Sequence, residues 1–214
     1  MNATSLMTST TANRLRRSLL AGLLLGVGLG ASGCLPIVAT GTAVGTLAAI
    51  DRRTLGAQTE DQGIELKGAA QIHERLGRGV SVTSYNRKVL LTGQVATAAD
   101  KRTAEAIIAA LPNVSSIHNE LQVAGVTSVT TTAADASITT RVKTAFVNVS
   151  ELQANTIKVV TEAGVVYLMG LVSTREGELA ARTAARVSGV QRVVTVFEYL
   201  SEEEVRQMKK QPRP

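Results

Sequence analysis

The chain has 214 residues, with 23 Lys or Arg, 17 Asp or Glu and a net charge of +6, and its five aromatic residues are all Tyr or Phe. Proteins that bind single-stranded nucleic acid stack bases on aromatic side chains, so this composition argues against a nucleic-acid partner. The two histidines, His73 and His118, lie in no catalytic or metal-binding motif. The sequence therefore predicts no enzyme, metal, cofactor or small-molecule substrate.

The N-terminus carries an export pattern. Three arginines precede an apolar run over residues 19–29, and small residues follow up to Gly33. A helix needs about 20 apolar residues to cross a bilayer, so this run is too short to span. The order of basic, apolar and small segments is typical of a signal peptide, and we predict that residues 1–33 are removed by cleavage between Gly33 and Cys34.

The sequence Ala-Ser-Gly-Cys at the cleavage point resembles the lipobox of bacterial lipoproteins. The resemblance implies that Cys34 carries a thioether-linked diacylglycerol and an N-acyl chain such as palmitate; a chance cysteine in a plain secretory signal is the alternative. Several acyl chains give a stable anchor where one does not. Leu35 stands where lipoproteins retained at the inner membrane commonly have Asp, which implies the periplasmic face of the outer membrane of a Gram-negative bacterium.

The mature chain starts with a small, apolar segment. Removing residues 1–33 leaves 181 residues and, because that segment holds three basic and no acidic residues, a net charge of +3. This weak bias is compatible with an anionic membrane surface. We predict that residues 34–60 form a flexible tether, with a second inserted helix as the alternative.

An internal repeat organises the rest of the chain. Residues 80–95 align with 157–172 at an offset of 77, and residues 112–121 align with 188–197 at an offset of 76. Alternating apolar positions in the first pair predict a hairpin of two strands, and a third strand is predicted in the second pair.

Amphipathic segments precede and follow each hairpin. Helices are predicted over 98–110 and 175–187, which begin with Thr or Ser caps, and over 64–76 and 135–148 before the hairpins. Each copy is therefore an α+β unit, a small mixed three-stranded sheet covered by two helices. The predicted domains are 61–125 and 135–200, joined by a linker over 126–134 and followed by a polar tail over 201–214.

Two glycines recur at the end of the second strand of each copy. Gly93 and Gly170 align at the offset of 77. Glycine at this place indicates a left-handed backbone or a close approach of another segment. We interpret both as structural.

The repeat resembles the BON domain. The motifs that carry the resemblance are VLLTGQV and VYLMGLV after the hairpin turns, and NVSSIHNEL and GVQRVVTVF in the third strands. The tether and the paired repeats together resemble outer-membrane lipoproteins with two BON domains, of the DolP type. Members of that family support envelope integrity and bind phospholipid through the first helix of the second domain.

Carried onto this chain, the resemblance places an anionic phospholipid site on the helix over 135–148. Ser137 stands where relatives can carry a bulky aromatic residue, so one apolar contact with the membrane is lost. The alternative is that the apolar residues belong to the domain core and the cations to a solvated rim. The implied site consists of cations and apolar residues: Arg141 and Lys143, with Ile138, Val142, Phe146 and Val147.

A second function stays open at this point. The two domains could instead dock an envelope assembly machine, with outer-membrane assembly proteins as partners and membrane contact only through the lipid on Cys34. Binding to protein-free liposomes would separate the two hypotheses.

Overall fold

The computed structural model describes residues 51–124 and 132–210. Within them the helix–strand–strand–helix–strand unit occurs twice, as the repeat predicts. We call residues 55–123 domain 1 and residues 132–200 domain 2. Domain 1 contains α1 Leu55–Leu76, β1 Val80–Tyr85, β2 Lys88–Val95, α2 Ala98–Ala109, β3 Ser116–Asn119 and β4 Gln122–Val123.

Domain 2 repeats this order, and one helix follows it. A single 3-10 turn, Ala154–Thr156, precedes its first strand. The elements are α3 Thr132–Val147, β5 Ile157–Glu162, β6 Val165–Ser173, α4 Thr174–Ala185 and β7 Arg192–Leu200, with α5 Glu202–Lys210 in the predicted polar tail.

Both sheets are mixed, which confirms the predicted fold class. In each domain the first two strands form an antiparallel hairpin, and the third strand lies parallel to the second. The pairing of β6 with β7 is continuous over nine residues. In domain 1 the third strand is split into β3 and β4, because Glu120 and Leu121 leave the regular ladder while the Glu120 N–H still donates to the Leu91 carbonyl at 3.0 Å.

Some boundaries differ from the sequence predictions. The predicted tether over 34–60 is wrong at its C-terminal end, because α1 already begins at Leu55 behind a Thr54 cap. The second domain likewise begins at Thr132, inside the predicted linker. The signal peptide, Gly33 and Cys34 lie outside the described residues.

Capping fixes the start of the second helix in each domain. The Thr97 hydroxyl accepts from the Asp100 N–H, and the Asp100 carboxylate accepts from the Thr97 N–H. Ser173 and Glu176 form the same reciprocal pair in domain 2. Such a capping box satisfies two N–H groups that would otherwise have no partner, and a cap of this kind stabilises a helix by about 1 kcal/mol.

Each domain has its own core between the helices and one face of the sheet. Domain 1 buries Val89 and Leu91 of β2 against Ala104 and Ile108 of α2. The core of domain 2 has more buried members than that of domain 1, and two of them are aromatic. Its buried members include Ile138, Val142, Phe146, Val166, Leu168, Ala180, Ala184 and Phe197.

A third core joins the two domains. The face of each sheet that its helices leave uncovered packs against the other sheet, with Tyr85 and Leu90 of domain 1 against Tyr167, Met169 and other residues of domain 2. All nine residues of β6 are therefore buried. The arrangement is a stack of helices, sheet, sheet and helices.

Polar contacts surround this third core. The Tyr85 hydroxyl donates to the Thr156 carbonyl at 3.1 Å. The Lys158 ammonium lies 2.7 Å from a Glu65 carboxylate oxygen. Because these contacts cross the boundary between the domains, they fix the register of one sheet on the other.

Residues 52 and 53, which precede α1, contact both domains. Arg52 is 4% exposed, and its guanidinium donates to both carboxylate oxygens of Glu176 at 2.7 Å and to the Leu171 carbonyl at 2.6 Å. Arg53 instead binds Asp61 of domain 1 at 2.8 Å and lies over the Tyr85 ring at 4.1 Å. Two consecutive arginines thus bind opposite sides of the domain boundary.

Gly93 and Gly170 lie in the second strand of each domain. Each is next to the residue that directly precedes the first strand of the same domain. Gly93 has a φ of +107°, and a Cβ there would come within 2.0 Å of the Gly79 carbonyl oxygen. At Gly170 the φ is ordinary, but a Cβ would lie 2.8 Å from the Thr156 carbonyl oxygen. The close approach of the neighbouring backbone accounts for glycine at both positions.

Candidate functional site

The first helix of domain 2, α3, is held in place by its apolar side. Ile138, Val142 and Phe146 recur at intervals of four residues, so they lie on one face of the helix, and all three are buried in the core of domain 2. Full burial of such side chains stabilises the fold by about 1.5–3 kcal/mol each. The prediction that these three residues offer apolar surface to a ligand is therefore wrong, because the sheet already covers them.

The other three predicted residues are on the surface. Arg141 and Lys143 are exposed, and Val147 is 70% exposed. The Arg141 guanidinium donates to the Ser137 hydroxyl at 2.9 Å. The structure thus separates the predicted set into a buried half that forms the core and an exposed half that carries two positive charges and one apolar side chain.

An aspartate in the first turn of α3 positions the helix over the β5–β6 hairpin. The two oxygens of Asp135 accept the N–H groups of Ala163 and Gly164, both at 2.9 Å. These two turn residues have φ values of +49° and +74°, as a two-residue type I′ hairpin requires. A carboxylate that accepts both N–H groups offsets the strain of a left-handed alanine.

Domain 1 has an equivalent aspartate that accepts one hydrogen bond more from its hairpin. The carboxylate of Asp61 accepts the N–H groups of Asn86 and Arg87, both at 2.7 Å, and the Ser84 hydroxyl at 2.6 Å. Sequence reasoning missed this pair of aspartates. The signal was available, because Asp61 and Asp135 both stand three residues before a buried isoleucine, in the pattern Asp-x-x-Ile.

The hairpin beneath α3 also holds a perturbed carboxyl group. Burial, followed by the negative charge of Asp135, raises the pKa of Glu162 above its ordinary value. Thr139 of α3 and Thr161 of the hairpin share a hydroxyl hydrogen bond of 2.7 Å beside it. Negative charge is thus concentrated at the N-terminal end of α3, while its exposed cations lie further along the helix.

A groove runs between α3 and α4 on the outer face of domain 2. Its volume is about 330 Å³. Sequence reasoning did not single out any residue of α4, although Arg182 of this helix and Arg186 directly after it border the groove. The lining residues are Ala145, Val149, Leu179, Arg182, Thr183, Arg186 and Val187.

Within residues 51–124 and 132–210, no three His, Cys, Asp or Glu side chains are grouped so that they could bind a metal ion. In the same part of the chain, no helix has the length and apolar character needed to cross a membrane. What the surface of domain 2 offers is positive charge beside exposed apolar side chains, an arrangement suited to an anionic interface.

Comparison with known proteins gives consistent relatives. The BON domain model matches residues 59–125 and 134–201. The chain is 37% identical over 184 residues to outer membrane lipoprotein DolP of Haemophilus influenzae, covering 83% of this chain and 94% of that protein. It is 34% identical over 157 residues to a 21 kDa hemolysin of Actinobacillus pleuropneumoniae, covering 71% and 80%. Among solved structures, CdsD of the Chlamydia trachomatis type III secretion system aligns at 14% identity with a TM-score of 0.28, covering 72% and 70%.

Proposed function

Since the chain belongs to the BON-domain family, as a non-enzymatic, lipid-anchored outer-membrane lipoprotein of the DolP type, we propose that domain 2 binds anionic phospholipid and supports the integrity of the cell envelope. The observation that carries the proposal is the exposed surface of α3. Arg141, Lys143 and Val147 all lie on it and are free of the core.

The charges are sufficient for a weak interfacial site. Each Lys or Arg near an anionic leaflet contributes about 1 kcal/mol. Arg141 and Lys143 together therefore contribute about 2 kcal/mol, and the exposed Val147 adds apolar contact. A site of this strength prefers anionic lipid over neutral lipid but releases the membrane readily.

The acyl anchor makes a weak site effective. Cys34 precedes Asp51 by 17 positions, so an acylated Cys34 keeps Asp51 within at most about 60 Å of the membrane surface. Binding of domain 2 then becomes an intramolecular event at a high effective concentration. On this proposal the anchor supplies proximity, and α3 supplies the preference for anionic lipid.

Vesicle flotation of the unlipidated protein tests the proposal. We expect the mature chain with Cys34→Ser to float with vesicles rich in phosphatidylglycerol and to stay behind with vesicles of pure phosphatidylcholine. Adding Arg141→Glu and Lys143→Glu should abolish flotation, because both attractive charges are reversed. Unchanged flotation of that double variant would remove α3 as the site.

The matched control lies on the first helix of domain 1. Lys67 and Arg75 are also exposed, and changing both to Glu gives the same net charge as the test variant. This control should still float. If the unlipidated protein binds no vesicle but copurifies with envelope assembly proteins, the adaptor hypothesis replaces the phospholipid proposal.

A further inference from the structure

The groove between α3 and α4 combines an apolar floor with a cationic rim. Ala145 of α3 and Val149, two residues beyond the end of that helix, border it on one side, and Leu179 of α4 borders it on the other. Arg182 of α4 and Arg186, the helical-geometry residue that directly follows it, are four residues apart, so their side chains lie on the same side of the helix. Both arginines are exposed, and the charged ends of their side chains are therefore accessible to a ligand.

A third arginine extends this rim from the opposite helix. Arg141 is one helical turn before Ala145, and its guanidinium nitrogen lies 3.0 Å from the place of a Cβ on Gly189. Gly189 follows Arg186 by three residues. The cation already assigned to the α3 surface thus lies beside the loop that follows α4.

The two groove arginines, Arg182 and Arg186, make only weak contacts with the rest of the protein. Arg182 has an ion pair at 3.2 Å with Glu178, in which both side chains are more than half exposed, and such surface pairs contribute about 0.3–0.5 kcal/mol. Within the described parts of the chain, Arg186 has no ion pair. A phosphate that approaches the groove therefore displaces little.

Domain 1 lacks this rim. Thr97 and Ala104 occupy the same places in α2 as Ser173 and Ala180 occupy in α4, at a sequence offset of 76. The same offset aligns Arg182 and Arg186 of domain 2 with two alanines, Ala106 and Ala110. Since the fold of α2 does not need arginine at these positions, the cations of domain 2 are a property of its surface and not of the BON fold.

We infer that the α3–α4 groove is part of the lipid site and holds the headgroup of an anionic phospholipid, with its phosphate between Arg182 and Arg186. Arginine suits this role because its planar guanidinium binds phosphate oxygens in pairs. The apolar floor around Leu179 and Val187 then contacts the first part of the acyl chains. This inference rests on the proposed function and extends it from α3 to a second helix.

The test converts the groove of domain 2 into that of domain 1. Arg182→Ala with Arg186→Ala, in the mature chain with Cys34→Ser, should weaken partition onto phosphatidylglycerol vesicles about 30-fold, because two cations are lost from the interface. Arg75→Ala with Arg102→Ala in domain 1 loses the same charge and should weaken partition less than threefold. Circular dichroism verifies that each variant is folded.

A second variant increases the available charge. Glu178→Gln removes the only carboxylate paired with Arg182 among the described residues and should strengthen partition about twofold to threefold. Glycerol phosphate at millimolar concentration should leave partition nearly unchanged. Full displacement by glycerol phosphate would show a site for soluble phosphate and overturn the lipid assignment.

The outcomes distinguish this inference from the proposal beneath it. If the parent chain does not bind phosphatidylglycerol vesicles, the proposed function fails. If the parent binds and the Arg141→Glu, Lys143→Glu variant does not, while Arg182→Ala with Arg186→Ala behaves like the domain 1 control, only the groove assignment is overturned. A loss in both double variants supports a site that spans the two helices.

Discussion

Domain 1 and domain 2 share one fold but differ in the contacts that the capping carboxylate of the second helix makes. In domain 1 the carboxylate of the α2 capping box, Asp100, is partly exposed and binds only its own helix start. In domain 2 the equivalent Glu176 is buried and also binds Arg52, which precedes both domains in the chain. The two copies thus keep one topology, and the contact of Arg52 with domain 2 adds to the core that joins the two sheets.

The exposed surfaces of the two domains also differ. The aspartates that cap the hairpins and the alanines at the helix–sheet contacts are shared between the copies. Arg182 and Arg186 are exposed in domain 2, and alanines, Ala106 and Ala110, occupy the aligned positions of domain 1. Shared positions set the fold, and the unshared surface positions underlie the membrane contact that we propose for domain 2.

The largest expected effect comes from breaking the buried contact between Arg52 and Glu176. Arg52→Ala leaves the buried Glu176 without its main cation, and removing one partner of a buried pair costs about 3–5 kcal/mol. Urea denaturation measures this loss in the free energy of unfolding. Asp100→Ala is the counterpart in domain 1 and should cost only about 1 kcal/mol; equal costs would contradict the comparison.

A smaller difference is expected between the two hairpin aspartates. Asp61 accepts three hydrogen bonds from the β1–β2 hairpin and pairs with Arg53, whereas Asp135 accepts two. Hydrogen bonds to charged groups contribute about 1.5–3 kcal/mol. We expect Asp61→Ala to lower the free energy of unfolding by about 3 kcal/mol and Asp135→Ala by about half of that. The reverse order, measured in the same denaturation experiment, would contradict the equivalence of the two sites.

The smallest effect concerns Glu162, whose place in domain 1 is occupied by Tyr85 at the offset of 77. Its pKa is raised in the folded state, by burial and then by Asp135, so the folded protein binds the proton more tightly than the unfolded chain. Stability therefore falls as the pH rises from the unfolded towards the folded pKa, and the charged carboxylate is unfavourable at pH 7.

Replacement of this carboxylate by an amide removes the penalty. Glu162→Gln should raise the free energy of unfolding at pH 7 by less than about 1 kcal/mol, since the group is partly solvated. The gain should shrink as the pH is lowered and Glu162 of the parent chain takes up its proton. A gain that is constant with pH would show that charge is not the cause.

The repeat made most of the fold predictable. Equivalent glycines and apolar positions at offsets of 77 and 76 located both hairpins, both second helices and both third strands. The start of α1 could not be found in this way, because Arg52 and Arg53 look in the sequence like two positive charges exposed to solvent. Their partners, Glu176 and Asp61, are 124 and 8 residues away, and only the folded chain brings both close.

The core between the two sheets was missed for a different reason. The sequence of β6, VVYLMGLV, is apolar on both alternating faces, which indicates a strand buried on both sides. The alternating apolar positions were interpreted as one buried face for each sheet, so the second apolar face of β6 was not used. The apolar face of α3 was misassigned for a related reason. Periodicity shows that a helix has an apolar face, but it does not show whether the sheet or a lipid covers that face.

The position of Arg52 also decides how a mechanical load enters the molecule. Arg52 lies on the N-terminal side of α1, so tension applied from the direction of Cys34 reaches its contacts with Glu176 and Leu171 before it reaches the first helix. The load passes directly into β6 and α4, the most deeply buried strand and the cationic helix of domain 2. A pull from the anchor therefore reaches the domain proposed to contact the membrane before it reaches the contacts of Arg53 with domain 1.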